Sequence, residues 1–222
     1  MNQTKSLAIT ISRQLGCGGA YIGQQLAKEL NIYYADREII RKAAEQLSVS
    51  EEDLGLQDEK PQSFWDPFMQ YSVYAPDIYV PPPMKIMPTS YSLFNAETEI
   101  IQHIVEEHSA VIIGRCGFYV LRDYPNHVSI FLHGDTSFRS KRIQETYNVS
   151  EKVAGEMIVQ SDKDREHYVH AFTGKKWIDT RLYDLTIDTS KTGVDKSVEV
   201  IISYLKVNEF IEECQGKLQE AK

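Results

Sequence analysis

The sequence predicts an α/β domain built on a mostly parallel sheet with helices on both faces, and three observations carry that prediction. Five short runs of strand character, largely apolar and β-branched, alternate with segments of helical periodicity, the pattern of strands buried on both sides. The first and third of these runs end in glycine-containing turns, Gly16-Cys17-Gly18-Gly19 and Gly114-Arg115-Cys116-Gly117. Finally, 222 residues with 42% hydrophobic and 25% charged side chains suit one core of ordinary globular composition.

The elements follow in order. Residues 7–11, Leu-Ala-Ile-Thr-Ile, form a β-branched strand, and Tyr21, Ile22, Leu26 and Leu30 after the glycine loop have helical spacing. A second strand at 32–34 leads through Asp36, a credible N-cap, into a helix carrying Ile39, Ile40, Ala43, Ala44 and Leu47. The character then changes over about 55–95. Seven of the eight prolines lie there, among Phe64, Trp65, Phe68, Tyr71, Tyr74, Tyr79 and Tyr91, too many prolines for a long helix and too many aromatics for a solvated linker. This is read as an aromatic, proline-rich insertion. Regular pattern resumes with a helix through Ile100, Ile101, Ile104 and Val105, a strand at 110–113, a short helix near 118–121 and a strand at 127–132. An Asp135-capped helix holding Arg139, Lys141 and Arg142, a polar segment at 150–180 and a strand at 185–187 come next. A final amphipathic helix is expected over about 194–220, with Val198, Ile201, Ile202 and Leu205 on its core stripe and Phe210, Ile211, Cys214 and Leu218 extending it. A dimer contact or a simple tail helix would explain the extension, and the reading leans to a homodimer.

Composition excludes several function classes. Lys plus Arg number 24 against 32 for Asp plus Glu, a net charge of −8, so broad electrostatic binding to nucleic acid or an anionic membrane is not expected. No apolar run approaches the roughly 20 residues of a membrane span, and the N-terminus lacks a signal-peptide pattern, which makes the cytoplasm the expected location. Cys17, Cys116 and Cys214 are odd in number and without CxxC spacing, as free thiols in a reducing compartment would be. His167 and His170 have no third ligand in the sequence, so no metal site is expected.

In a doubly wound sheet, ligands lie beyond the carboxyl ends of the strands. A glycine loop opening a helix there offers backbone N–H groups and a helix dipole to an anion. That places candidate chemistry at 16–19, at Asp36-Arg37 and at Gly114-Arg115.

The string ITISRQLGCGG, the blocks YYADREII and VIIGRCGFYVL, the Asp162 and Arg165 pair, and TGKKW followed by YDLTIDTS resemble the cytidylate kinase-like family, in order from about residue 7 to 205. That family is a branch of the P-loop nucleoside monophosphate kinases. The resemblance implies one P-loop NTPase-like domain over 1–222, with a five-stranded parallel sheet in order 2-3-1-4-5, a donor site, an acceptor site and a lid at about 139–180. It implies an ATP-dependent phosphotransferase acting on a small nucleotide, with nucleoside mono- and triphosphates as ligands and Mg²⁺ accompanying ATP. Position by position, it makes Gly16, Cys17, Gly18, Gly19, Ala20 and Tyr21 the phosphate-binding loop. Asp36, Arg37, Arg115 and Asp162 become substrate-binding, Arg139, Arg142 and Arg165 catalytic lid arginines, and Thr189 and Ser190 the adenine side. The chain departs from GxxxxGK[ST]: the lysine falls on Gly19 and the hydroxyl residue on Ala20, which removes a phosphate contact and a Mg²⁺ ligand. Arg13, at the strand end, is expected to supply the missing charge, since a guanidinium binds two phosphate oxygens at once. Cys17 and Cys116, at the ends of neighbouring strands, are expected to face one pocket, where their oxidation would block nucleotide binding. A nucleotide-binding sensor that has lost catalysis, or a protein that docks a partner through the aromatic insertion, are the other readings on the same fold.

Overall fold

The computed structural model describes residues 6–36 and 88–211. Arg37, the helix expected after Asp36, the insertion as far as residue 87 and the chain beyond 211 lie outside the described residues. Five strands, β1 (Ala8–Arg13), β2 (Tyr33–Ala35), β3 (Ala110–Ile113), β4 (His127–His133) and β5 (Leu185–Asp188), form one sheet in the order β2-β3-β1-β4-β5. Each neighbouring pair is parallel, as expected from the sequence.

Among the described residues the α-helices are α1 (Gly19–Leu30), α2 (Pro88–Glu107), α3 (Gly117–Val120), α4 (Thr136–Tyr147), α5 (Glu151–Thr173), α6 (Thr189–Thr192) and α7 (Val194–Val207). Side chains alternate across the pleat, so each strand serves two cores. Ile9 and Ile11 of β1, Val111 and Ile113 of β3, and Val128, Ile130 and Leu132 of β4 pack with Ile22 and Leu26 of α1 and Val198, Ile201 and Leu205 of α7. On the other face Ala8, Ala110 and Ile112 meet Ile100, Ile101 and Ile104 of α2. Phe131 on that face joins Phe118, Cys116, Trp177 and Tyr183. Trp177 lies edge-on to Phe131 at 5.5 Å. A fourth small core, Leu15 with Ile143, Ala154 and Ile158, fastens α4 and α5 to the loop after β1.

Three expectations change. Helix α2 begins at Pro88, within the stretch read as insertion up to 95; a proline in the first turn has no N–H to leave unpaired and a φ already suited to helix. The polar segment from 150 is largely one helix of 23 residues, α5, whose N-cap Ser150 accepts a hydrogen bond from the Val153 N–H at 3.4 Å. Its polarity reflects how little of it is buried. Helix α7 stops at Val207 instead of running to about 220. Glu209 turns left-handed at φ 59°, and the Phe210 N–H donates to the Leu205 carbonyl at 2.9 Å. That turn folds Phe210 and Ile211 back onto the core beside α1 and α7, which accounts for their apolar character within the chain itself.

On the α2 face, β1 and β4 carry polar side chains that satisfy one another. The His127 Nε2 lies 2.8 Å from the Thr10 Oγ1, and Asp184 accepts from both the N–H and the hydroxyl of Ser129, at 2.8 and 2.7 Å. Burial pushes the His127 imidazole down from 6.5 to about 4, against the pull of Asp184 and the Leu121 carbonyl. The folded state therefore binds this proton less well than the unfolded chain. The stability that neutral His127 confers is complete above about pH 6.5 and is lost as pH falls toward 4. The loss amounts to roughly 3 kcal/mol in full, at about 1.36 kcal/mol per pKa unit. Urea unfolding of the protein and of His127→Gln at pH 7.5 and pH 5 should show the variant losing about 2 kcal/mol less over that interval. Equal losses would mean that His127 does not titrate on unfolding.

Candidate functional site

The carboxyl end of the sheet is built around the turn between β1 and α1. Gly16 and Gly18 hold φ of 86° and 77°, left-handed values that glycine adopts without strain. Gly16 also lies so close to α4 that a Cβ on it would stand 2.8 Å from the Arg139 carbonyl oxygen. The Asp162 carboxylate of α5 fixes this turn from outside. It takes the Arg139 Nη1 at 2.6 Å, the Leu15 N–H at 3.3 Å and the Gln14 Nε2 at 3.4 Å. Arg139, only 5% exposed, also donates to the Leu15 carbonyl at 3.3 Å. The Gln14 Oε1 meanwhile accepts from the Gly134 N–H at 3.3 Å, which ties the turn to the end of β4. Arg139 and Asp162, expected in catalysis and substrate binding, are thus paired with each other and with the loop in this structure. Among the described residues, the amides of Gly16, Gly18 and Gly19 make no hydrogen bond, and Gly19 is the first residue of α1.

Two other arginines do reach the glycines. The Arg142 guanidinium lies 3.3 Å from the position of a Cβ on Gly18, with its Nε buried and unbonded. Arg13 runs across the start of α1: a Cβ on Gly19 would stand 2.6 Å from its Cγ, and a Cβ on Gly114 would stand 2.5 Å from its Nη1. Its side chain therefore spans from the glycine loop to the turn after β3.

That second turn holds three successive left-handed residues, Gly114, Arg115 and Cys116, with φ of 73°, 52° and 53°. It directs the Arg115 side chain toward Glu97 of α2, 1% exposed, with Nη1 3.4 Å from Oε1. The Tyr168 hydroxyl of α5 donates to the other Glu97 oxygen at 3.0 Å. Burial works against the charged form of Arg115, but Glu97, Tyr168 and Asp36 outweigh it, so its pKa is raised and the guanidinium keeps its proton. Burial and the Glu97 charge push the Tyr168 phenol well above its ordinary value, and burial does the same to the Cys116 thiol. Asp36, half-buried at the end of β2, lies near enough to act on Arg115 electrostatically.

The remaining expected residues flank these two turns. Tyr21 donates its hydroxyl to Asp195 of α7 at 2.7 Å. Thr189 donates to the His133 carbonyl at 3.1 Å, and the Ser190 hydroxyl donates to the Asp188 carboxylate at 2.5 Å. The start of α7 abuts the loop, for a Cβ on Gly18 would collide with Val194. Arg165 donates to the Ser161 hydroxyl at 2.7 Å on its own helix. Cys17 and Cys116 do not share a pocket: both are buried, in cores on opposite faces of the sheet, so the expected oxidation pair is not assembled. Ala20 offers no hydroxyl for Mg²⁺, and Ser12 is buried against Tyr183. Among the described residues, no three His, Cys, Asp or Glu side chains gather as a metal cage.

Sequence reasoning missed Gln14, Glu97 and Tyr168 as site residues. Glu97 carries a legible signal: it precedes Ile100, Ile101 and Ile104 by three, four and seven residues, a carboxylate on the apolar stripe of α2.

A family model described as "Cytidylate kinase-like family" matches residues 8–191. A cytidylate kinase of Saccharolobus islandicus is 25% identical over 111 residues, which cover 50% of this chain and 58% of that protein. The chain thus spans little more than half the length of that curated relative. Among solved structures, an uncharacterized protein from Eubacterium ventriosum superposes with a TM-score of 0.66 at 26% identity, covering 90% of this chain and 98% of that one. A Thermus thermophilus protein gives 0.53 at 10% identity, with 91% and 99% coverage, a likeness of fold.

The Asp162 cluster sets a stability prediction. Asp162→Ala strands a buried guanidinium and frees the Leu15 N–H, and should cost about 3 kcal/mol in urea unfolding, near the low end for a broken buried pair. A loss under about 1 kcal/mol, as for an exposed pair, would show that the carboxylate does not hold the loop.

Proposed function

The chain belongs to the cytidylate kinase-like family, and from that premise we propose that it is an ATP-dependent phosphotransferase whose acceptor is a nucleoside monophosphate. The observation that carries this is the arrangement of Arg13, Arg115 and Arg142, which arise from three separate elements and lie at the two glycine turns at the carboxyl end of the sheet. The loop amides of Gly16, Gly18 and Gly19 and the start of α1 suit the donor's phosphates. Arg115 suits the acceptor's phosphate, with Asp36 beside it. An acceptor phosphate oxygen attacks the γ-phosphorus of ATP. The bond from that phosphorus to the β–γ bridging oxygen breaks, and ADP leaves with the electron pair. Guanidiniums stabilise the charge on the transferring group by position alone. The residues present do not match a protein-held Mg²⁺ at the loop, so the ion is proposed to arrive with ATP, held by the nucleotide's own phosphates. A cytoplasmic setting is proposed from the odd number of cysteines and their lack of CxxC spacing.

The loss of the loop hydroxyl at Ala20 favours a second reading, a nucleotide sensor without turnover. Isothermal titration with nucleoside mono- and triphosphates plus Mg²⁺, followed by a transfer assay on each binding pair, separates the two. Turnover of one pair establishes the kinase; tight binding without turnover establishes the sensor. In either case Arg115→Ala should weaken monophosphate binding about 10- to 100-fold, the worth of a charge-assisted hydrogen bond of about 1.5–3 kcal/mol, with triphosphate affinity changed less than about threefold. Equal weakening of both ligands would count against an acceptor role for Arg115.

A further inference from the structure

The path of Arg13 says more than that a cation lies near the loop. Its stem crosses the first residue of α1: a Cβ on Gly19 would stand 2.6, 3.0 and 3.2 Å from the Cγ, Cβ and Cδ of Arg13. Its guanidinium then ends at the other turn, 2.5 Å (Nη1) and 3.7 Å (Cζ) from a Cβ on Gly114. Gly19 has an ordinary helical backbone, so nothing in its own conformation demands glycine. What demands it is Arg13. Among the described residues, Arg139 and Arg115 each pair with a carboxylate, while half-buried Arg13 makes no ion pair. Strand β1 lies at the centre of the sheet, and its register with Ile113 of β3 and Leu132 of β4 fixes where Arg13 leaves the strand.

We propose that Arg13 bridges the donor and acceptor phosphate sites and touches the phosphoryl group in transfer, and that its track over Gly19 excludes a lysine at that position. The inference rests on the kinase reading and deepens it by naming the cation that serves both substrates. A loop lysine would rise from the helix start on the donor side. Arg13 reaches across from the strand and offers a planar fork that suits oxygens on two groups at once.

The experiment is a mutant cycle with two readouts. For the track, the unfolding of the wild-type protein, Gly19→Ala, Arg13→Ala and the double variant is measured in urea. Gly19→Ala should lower the midpoint in the presence of Arg13 and leave it unchanged or raised in the Arg13→Ala background, where alanine is simply the better helix former. An equal effect in both backgrounds overturns the steric claim. For the role, single-turnover transfer from ATP is measured with each variant. Arg13→Ala should slow transfer at least 100-fold, Gly19→Lys alone should be impaired, and Arg13→Ala with Gly19→Lys should recover at least tenfold over Arg13→Ala. A wild-type rate in Arg13→Ala overturns the bridging claim. Should the wild-type protein turn over no nucleotide pair, the kinase reading has failed, and Arg13 is judged on binding of inorganic tripolyphosphate and of a nucleoside monophosphate. A loss of at least tenfold in Arg13→Ala for both tripolyphosphate and a nucleoside monophosphate supports the bridge; a loss for one ligand alone, unchanged binding, or none to the wild-type protein, overturns it.

Discussion

The Asp162 carboxylate is the point on which the carboxyl end of the sheet depends. One side chain, four-fifths buried, accepts from the Arg139 guanidinium, the Leu15 amide and the Gln14 amide group. Arg139 belongs to α4 and the other two partners to the turn after β1, where the Gln14 side chain also holds Gly134 after β4. A carboxylate has lone pairs for all of them, and burial strengthens every bond while making any vacancy costly. The contact of Leu15 with Ile143, Ala154 and Ile158 adds an apolar latch directly beneath. The loop is thus held from the α4 and α5 side, while the amides of Gly16, Gly18 and Gly19 make no hydrogen bond among the described residues.

Charge is distributed accordingly. A chain with a net charge of −8 gathers guanidiniums at the carboxyl end of its sheet, and two of them are balanced by carboxylates, Asp162 and the buried Glu97. Glu97 does not meet Arg115 in a tight fork; at 3.4 Å it holds the charge in place, and the Tyr168 hydroxyl satisfies its other oxygen. The turn that presents Arg115 carries two non-glycine residues in the left-handed region, each costing on the order of 1 kcal/mol. Such a turn persists because Cys116 is packed into the aromatic core below it while Arg115 is drawn toward α2.

Much of this was legible in the sequence, and the failures have physical causes. Strand positions and their order follow from apolar runs of β-branched residues and from the family resemblance, and the parallel register places Arg13 and Gly114 together at the carboxyl end of the sheet. Roles were less legible than positions. Arg139 and Arg142 lie three residues apart on one basic helix, yet one is paired in the loop's support and the other reaches Gly18, a difference set by α5, which is distant in sequence. In the sequence Glu97 looks like its neighbour Glu99, and only the packing of α2 buries the one and exposes the other. The end of α7 was misjudged because apolar spacing continues past Val207, while the turn at Glu209 has no glycine or proline to announce it.

The sheet is longest at its middle and shortest at its rims. β1 and β4 have six and seven residues, whereas the outer strands β2 and β5 have three and four. A parallel sheet with long outer strands would present rows of unpaired amides and carbonyls, a template on which another chain adds. Here each rim gives an incoming strand only a few groups to pair with before the chain turns into a helix or loop. The taper that keeps the long strands at the centre therefore also limits runaway association through the sheet's borders.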